Sequence, residues 1–336
     1  MKTKLMALAT AIAVGIGAWA EPTVTDITAK QRYPWNGLVD ISCKVSGIEA
    51  DAGGYEFVVV AVNKETGREY TVSDYSVKHG GEDVSGMNIY EDGTYNLLWN
   101  VREDMGQVVF ERMTVRITLE AVAEEEVVED ENLDARQKVQ LWADGPYWAD
   151  RNIGASKPWK YGLYFWWGDT KGHRPSGTTF GFSSTSPYPP TYGRTDDMLQ
   201  SEGWVVSKNG TYVLAPAHDA AHVKWGGSWR MPTYQEIYDL CYTYCDWTWT
   251  TRNGVHGYIV RGRGSYASNS IFLPAAGAGY GTAFYNAGIE GGYCSSVPHS
   301  GIYSWAIGFR SNGRGLGGNH YRNRMISVRP VQGFSN

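Results

Sequence analysis

The residues best suited to recognition chemistry lie at the end of the chain. Residues 294–336 contain no Asp or Glu but five arginines, Arg310, Arg314, Arg322, Arg324 and Arg329, interleaved with Tyr303, Trp305, Phe309 and Tyr321. His299, Asn312, Asn319, His320 and Asn323 add polar groups. Rigid aromatic rings, guanidinium forks and adaptable amides are the side chains that binding surfaces favour. The candidate ligand-binding residues are therefore Tyr303, Trp305, Arg310, Asn312, Arg314, Asn319, His320, Tyr321, Arg322 and Asn323. The competing reading is that these arginines cap loops and neutralise acidic charge elsewhere in the chain.

Bond-making chemistry finds less support. Cys43 alternates with Val39, Ile41 and Val45 on one side of a strand-like run, which makes it a buried, inert thiol. Cys241 and Cys245 are four apart on a predicted helix, with Cβ atoms about 5–6 Å apart, whereas a disulfide needs about 3.5–4.5 Å. They should not pair with each other in a regular helix; either could pair with Cys294. No C-x2-C spacing supports a thiolate metal site. His218 and His222 could face one way on a helix, but no third ligand follows at a recognisable interval, and they read as surface histidines. Asp196-Asp197 beside Thr195 reads as a helix start rather than an acid–base pair. There is no G-x-S-x-G elbow, and Gly262-Arg263-Gly264 is too short to cradle a phosphate. The expectation is a chain with no catalytic residues, no metal and no cofactor.

The elements that must position the arginine-rich segment can be read from composition and periodicity. At 336 residues the chain predicts about two domains, and 14 tryptophans exclude a solvated coil. The formal charge of −5 argues against nucleic acid as a partner. Lys2 and Lys4 precede an apolar run over 5–17 that ends in Ala18-Trp19-Ala20. That is a signal peptide over 1–20, too short for a membrane span, and it predicts an exported protein that is extracellular, cell-surface or periplasmic. Residues 21–122 read as short strands and turns, an Ig-like β-sandwich acting as a spacer. In RMTVRITLE at 112–120, Met113, Val115, Ile117 and Leu119 share one face, and residues 55–63 form a more continuous apolar strand. Residues 123–138 form an acidic linker: the stretch 121–136 carries seven acids and one base. Beyond it, 11 of the 14 tryptophans sit among most of the glycines. Thr233-x-x-Glu236 is a capping box, and Ile237, Leu240, Cys241, Tyr244 and Cys245 follow on one helical face.

Five ordered segments of the second domain carry a family likeness. They are Trp148-Ala149-Asp150-Arg151-Asn152-Ile153-Gly154 with Tyr164-Phe165-Trp166-Trp167-Gly168-Asp169, then Asp219-Ala220-Ala221 with Trp225-Gly226-Gly227-Ser228-Trp229-Arg230-Met231-Pro232. Cys245-Asp246-Trp247-Thr248-Trp249 and Phe272-Leu273-Pro274-Ala275-Ala276-Gly277 follow, and Gly292-Tyr293-Cys294-Ser295-Ser296 precedes a closing Ser327-Val328-Arg329-Pro330-Val331. Over residues 139–332 the chain resembles the Fibrobacter succinogenes major paralogous domain family of exported bacterial proteins, with Asp169 where that family usually has Glu. The resemblance implies an α+β C-type lectin-like module, with a small twisted sheet, one or two helices and long loops. That fold is shared with formylglycine-generating enzymes and with the variable proteins of diversity-generating retroelements, whose diversified positions occupy the equivalent final segment. Neither Glu-Pro-Asn, Gln-Pro-Asp nor Trp-Asn-Asp is present, so the calcium ligands of sugar-binding relatives are missing. A formylglycine-generating oxidoreductase would need a reactive cysteine pair where only Cys294 stands. The expected function is non-enzymatic binding or display of a protein, peptide or glycan ligand, with that oxidoreductase or a structural envelope component as alternatives.

Overall fold

A computed structural model describes residues 21–33, 37–48, 54–105, 112–122, 137–182 and 188–333. The expected signal peptide over 1–20, and the expected acidic linker apart from its last two residues, lie outside the described residues. The chain folds mainly into antiparallel β-sheets. Among the described residues no helix is long and apolar enough to cross a membrane.

The first unit contains β1 (Thr23–Gln31), β2 (Leu38–Ser46), β3 (Tyr55–Asn63), β4 (Glu69–Thr71), β5 (Tyr75–His79), β6 (Glu82–Asp83), β7 (Gly93–Asn100), α1 (Val101–Met105) and β8 (Met113–Ala121). One sheet has the order β1-β2-β7-β5-β6 and the other β4-β3-β8. Their inner faces share one core, because alternation puts Val39, Ile41, Cys43 and Val45 of β2 opposite Phe57, Val59 and Ala61 of β3 and Met113, Val115 and Ile117 of β8. Trp99 is fully buried, and its indole N–H donates to Asp104 Oδ2 at 2.8 Å.

The second unit begins with β9 (Lys138–Gln140), β10 (Tyr147–Ala149), β11 (Tyr164–Phe165), α2 (Asp196–Ser201), β12 (Val205–Lys208), β13 (Thr211–Leu214), α3 (Ala220–Trp225), β14 (Trp229–Arg230) and α4 (Tyr234–Tyr238). It continues with β15 (Cys245–Arg252), β16 (Val255–Gly262), β17 (Ser270–Pro274), β18 (Ala278–Tyr280) and β19 (Ala283–Tyr285). The last strands are β20 (Glu290–Ser300), β21 (Tyr303–Arg310), β22 (Gly313–Tyr321), β23 (Arg324–Ser327) and β24 (Val331–Gln332). The largest sheet runs β19-β18-β23-β20-β21-β22, with β11 on β23. A second sheet, β14-β24-β10-β9, joins the two ends of the unit, and β15-β16-β17 form a third.

Buried polar groups lock the sequence motifs to one another. Asp219 caps α3 by accepting from the Ala221 and His222 amides, and it also takes the Met231 amide at 2.8 Å. Arg329, 1% exposed, donates to Asn152 Oδ1 and to the Ala149 and Phe272 carbonyls. Three acceptors satisfy a charge that would otherwise be costly to bury.

Both expected caps form: Thr195 accepts from the Met198 amide to start α2, and Thr233 with Glu236 makes a reciprocal capping box on α4. The helix after Thr233 is shorter than its apolar spacing predicts. It widens into a π turn over Asp239–Thr243, and Cys245 already belongs to β15, paired with Gly262. Ile237, Leu240, Cys241 and Cys245 are buried, whereas Tyr244 is exposed and stacks on Trp142. The π turn shifts the angular register, so a residue that continues the apolar stripe on paper leaves it in space. All four cysteines are buried and free.

The two units also touch. The Tyr161 amide donates to the Gly86 carbonyl at 2.8 Å, Lys160 Nζ donates to the Met87 carbonyl, and Arg174 lies over the Tyr90 ring. Gly254, at φ +73°, approaches so closely that a Cβ there would stand 2.3 Å from the Tyr75 carbonyl oxygen. The first unit therefore abuts the second through specific contacts, in addition to the covalent connection between them.

Candidate ligand-binding face

The arginine-rich segment becomes the three strands β20, β21 and β22. Their pairing brings Glu290, Arg310 and Gly313 into one cross-strand row and Gly292, Gly308 and Gly315 into the next, on the same face. Tyr293, Ile307, Phe309 and Leu316 take the other face and pack into the core around Trp247 and Tyr258. One side of the sheet is thus held by large apolar residues. The other packs Cys294 and Ala306 into a second core and sets Gly292 under Ile326, and only toward Gly308 does it open, leaving a trough of about 410 Å3.

Charged and polar groups rim this trough. Glu290, its side chain 12% exposed, accepts from Arg310 Nη2 at 2.5 Å and from Arg324 Nη2. Arg310 is more than half exposed, while Arg324 lies over the Tyr285 ring and its Nε is buried with no partner among the described residues. His320 also lines the trough, and both of its ring nitrogens are buried without a partner among the described residues. Burial, reinforced by the Arg324 charge, pushes its pKa down to about 3, so the imidazole is neutral. Asn312 is exposed at the turn between β21 and β22.

An aromatic stripe reaches the same sheet from the side. Tyr234, Tyr238 and Tyr242 follow at four-residue spacing, with ring centroids 6.2 and 5.2 Å apart. Trp305 stands 4.4 Å from Tyr234 and 4.6 Å from His299. At the other end the Tyr242 hydroxyl accepts from the Leu316 amide on β22, next to Gly315 of the trough floor. Tyr238 and Tyr242 are exposed.

The ten sequence-predicted residues therefore divide. Arg310, Asn312 and His320 meet at the trough, and Trp305 enters the aromatic stripe. Arg314 lines the trough edge but is partly committed, donating from Nε to the Cys241 carbonyl and lying over Trp247. Tyr303 and Tyr321 pair at 4.7 Å, with Tyr321 exposed. Asn319 lies on β22, and its side chain is outside the described ones. Arg322 and Asn323 are corrections, being 0% and 2% exposed. Arg322 donates to the Tyr303, Thr191 and Arg194 carbonyls and lies 4.7 Å from the Trp167 ring centroid. A guanidinium with that many carbonyl partners ties loops together and is not available to a ligand.

Sequence reasoning missed Glu290, the glycine row and the three tyrosines, and it named Arg324 in the arginine cluster without placing it among the candidate ligand-binding residues. The tyrosines were detectable, because positions 234, 238 and 242 fall on one helical stripe. The glycines at 292, 308 and 315 are far apart along the chain, and only the strand register makes them neighbours.

No family model, no curated protein and no solved structure matches the chain. Among the described residues no three His, Cys, Asp or Glu side chains form a metal-binding group. Burial pushes the Cys294 thiol up to about 12, so it stays protonated. A second cleft of about 360 Å3 lies beside Trp142 and Tyr234, and two of the three carboxylates that line it are engaged: Glu236 holds Arg230, and Asp239 accepts from Gln235.

Proposed function

We propose that this is an exported, non-enzymatic binding or display protein whose second unit is a C-type lectin-like module of the major paralogous domain type, carried on an Ig-like β-sandwich. Export rests on the charged start, the apolar run and Ala18-Trp19-Ala20. The observation that carries the binding reading is the open trough of β20–β22, rimmed by Arg310 and Asn312; the ring row of Tyr242, Tyr238, Tyr234 and Trp305 is a separate feature that meets the edge strand β22 through Tyr242. Exposed rings beside exposed guanidinium groups are what an interface uses for affinity. The formylglycine-type alternative needs a thiolate, and the buried, protonated Cys294 speaks against it. The test is capture of saccharide and protein ligands on arrays by the mature full chain, compared with Trp305→Ala and Tyr238→Ala. Saturable binding that these variants weaken at least tenfold, with unchanged melting, supports the reading. Equal binding by folded variants, or no saturable partner of any class, removes it.

A further inference from the structure

We propose that the glycine-floored trough binds a hydroxylated monocarboxylate, an uronic acid unit of an acidic saccharide, with Arg310 taking the carboxylate and Glu290 and His320 taking hydroxyls. This rests on the reading of β20–β22 as the ligand face and adds the ligand class.

The chemistry of the rim selects it. His320 keeps two buried ring nitrogens, and Arg324 a buried Nε, without partners among the described residues. Buried polar groups are costly unless something satisfies them, and an incoming ligand can. A neutral imidazole offers one donor and one acceptor, a pairing that a hydroxyl group answers with its own acceptor and donor. Glu290 adds an acceptor already fixed by two guanidinium groups. Arg310, Arg314 and Arg324 against the single carboxylate of Glu290 leave the trough positive, and Arg310, the more exposed of the pair bonded to Glu290, is placed to take a ligand carboxylate. A simple carboxylate such as acetate would leave His320 unsatisfied.

The floor sets the shape. A Cβ built on Gly308 would meet nothing within 4 Å, so one face of a sugar ring can rest on the strands there. The volume of about 410 Å3 falls within the range of small-ligand clefts. Phe309 and Ile307 belong to the opposite face of the sheet, so glycine rather than a large side chain forms the floor there.

Calorimetric or ligand-observed NMR titration of the mature full chain with D-glucuronate and D-galacturonate tests this, with D-glucose, acetate and inorganic phosphate as controls. At least one uronate should bind ten times or more tighter than each control. Gly308→Val fills open space on a strand and should abolish uronate binding without lowering the melting temperature. Arg310→Gln, changed at an exposed site, should weaken uronate binding at least tenfold and leave the glucose signal unchanged. If neither uronate binds, if any control binds equally well, or if folded Gly308→Val binds as the parent does, the proposal falls. A parent that ignores uronates but retains Trp305-dependent capture of another ligand overturns only this inference. Loss of both overturns the binding face as well.

Discussion

The two units solve the same packing problem in opposite ways. The core of the first is built from alternating Val, Ile, Leu and aromatic residues, and its only buried polar residues among those described are Gln31 and Ser85. The second buries Asn152, Asp219, Glu236, Glu290, Arg322 and Arg329, with several serines. An apolar core tolerates interchange of similar shapes, because burial is non-directional. A buried guanidinium that donates to carbonyls in distant loops fixes those loops in one arrangement, and it tolerates no substitute. The second unit thus invests its interior in positioning, which is what a surface of irregular loops and glycine-rich strands requires.

That contrast can be broken most forcefully at Arg329. Arg329→Met leaves Asn152 and the Ala149 and Phe272 carbonyls buried without their donor, and the expected loss is about 3 kcal/mol or more, at about 1–3 kcal/mol for each buried acceptor left unsatisfied. Denaturant unfolding followed by tryptophan fluorescence measures it. A loss below about 1 kcal/mol would mean that positioning by buried arginine is not what holds the second unit.

In the first unit the expected effects are smaller and graded by volume. Ile41, 1% exposed in the shared core, should lose about 0.5–1.5 kcal/mol on substitution by Val, a one-methylene change. A much larger loss, comparable to that of Arg329→Met, would erase the distinction between the two interiors.

The acid dependence sharpens the comparison further. His320 has a folded pKa of about 3 against an ordinary value of 6.5, so the unfolded chain binds a proton that the folded chain refuses. Its contribution to stability is complete above pH 6.5 and is lost progressively as the pH falls toward 3. Facing it are the Arg324 guanidinium, which adds to the depression, and Glu290 across the trough, paired to Arg310 and Arg324. Melting temperature against pH should therefore fall less steeply for His320→Phe than for the parent between pH 6.5 and 4. Parallel curves would place the acid sensitivity elsewhere.

The smallest stability effects belong to the binding face. Tyr238→Ala changes an exposed ring and should shift stability by no more than about 0.5 kcal/mol, while truncating a ring that anchors a ligand costs about 2 kcal/mol of affinity. Paired melting and binding measurements separate the two. A variant that unfolds while its survivors bind normally would move Tyr238 from the face to the core.

What the sequence determined by itself was local. Strict alternation put Cys43 among Val39, Ile41 and Val45 on a buried strand face, and that face is 0–1% exposed. The Thr233 and Thr195 caps are equally local, since each side chain bonds an amide three residues along. Periodicity failed where the helix after Tyr238 widened and strand pairing at Cys245 overrode it. The arginines of the final segment were legible as a cluster, but their roles were not. Arg322 donates to a carbonyl 131 residues away and is spent on packing, whereas Arg310 bonds Glu290 across a neighbouring strand and stays open to solvent. Both have the same side chain in the same composition. Which becomes buried and which faces the trough depends on strand register and on the carbonyls that distant loops bring near, and neither is a property of the local chain.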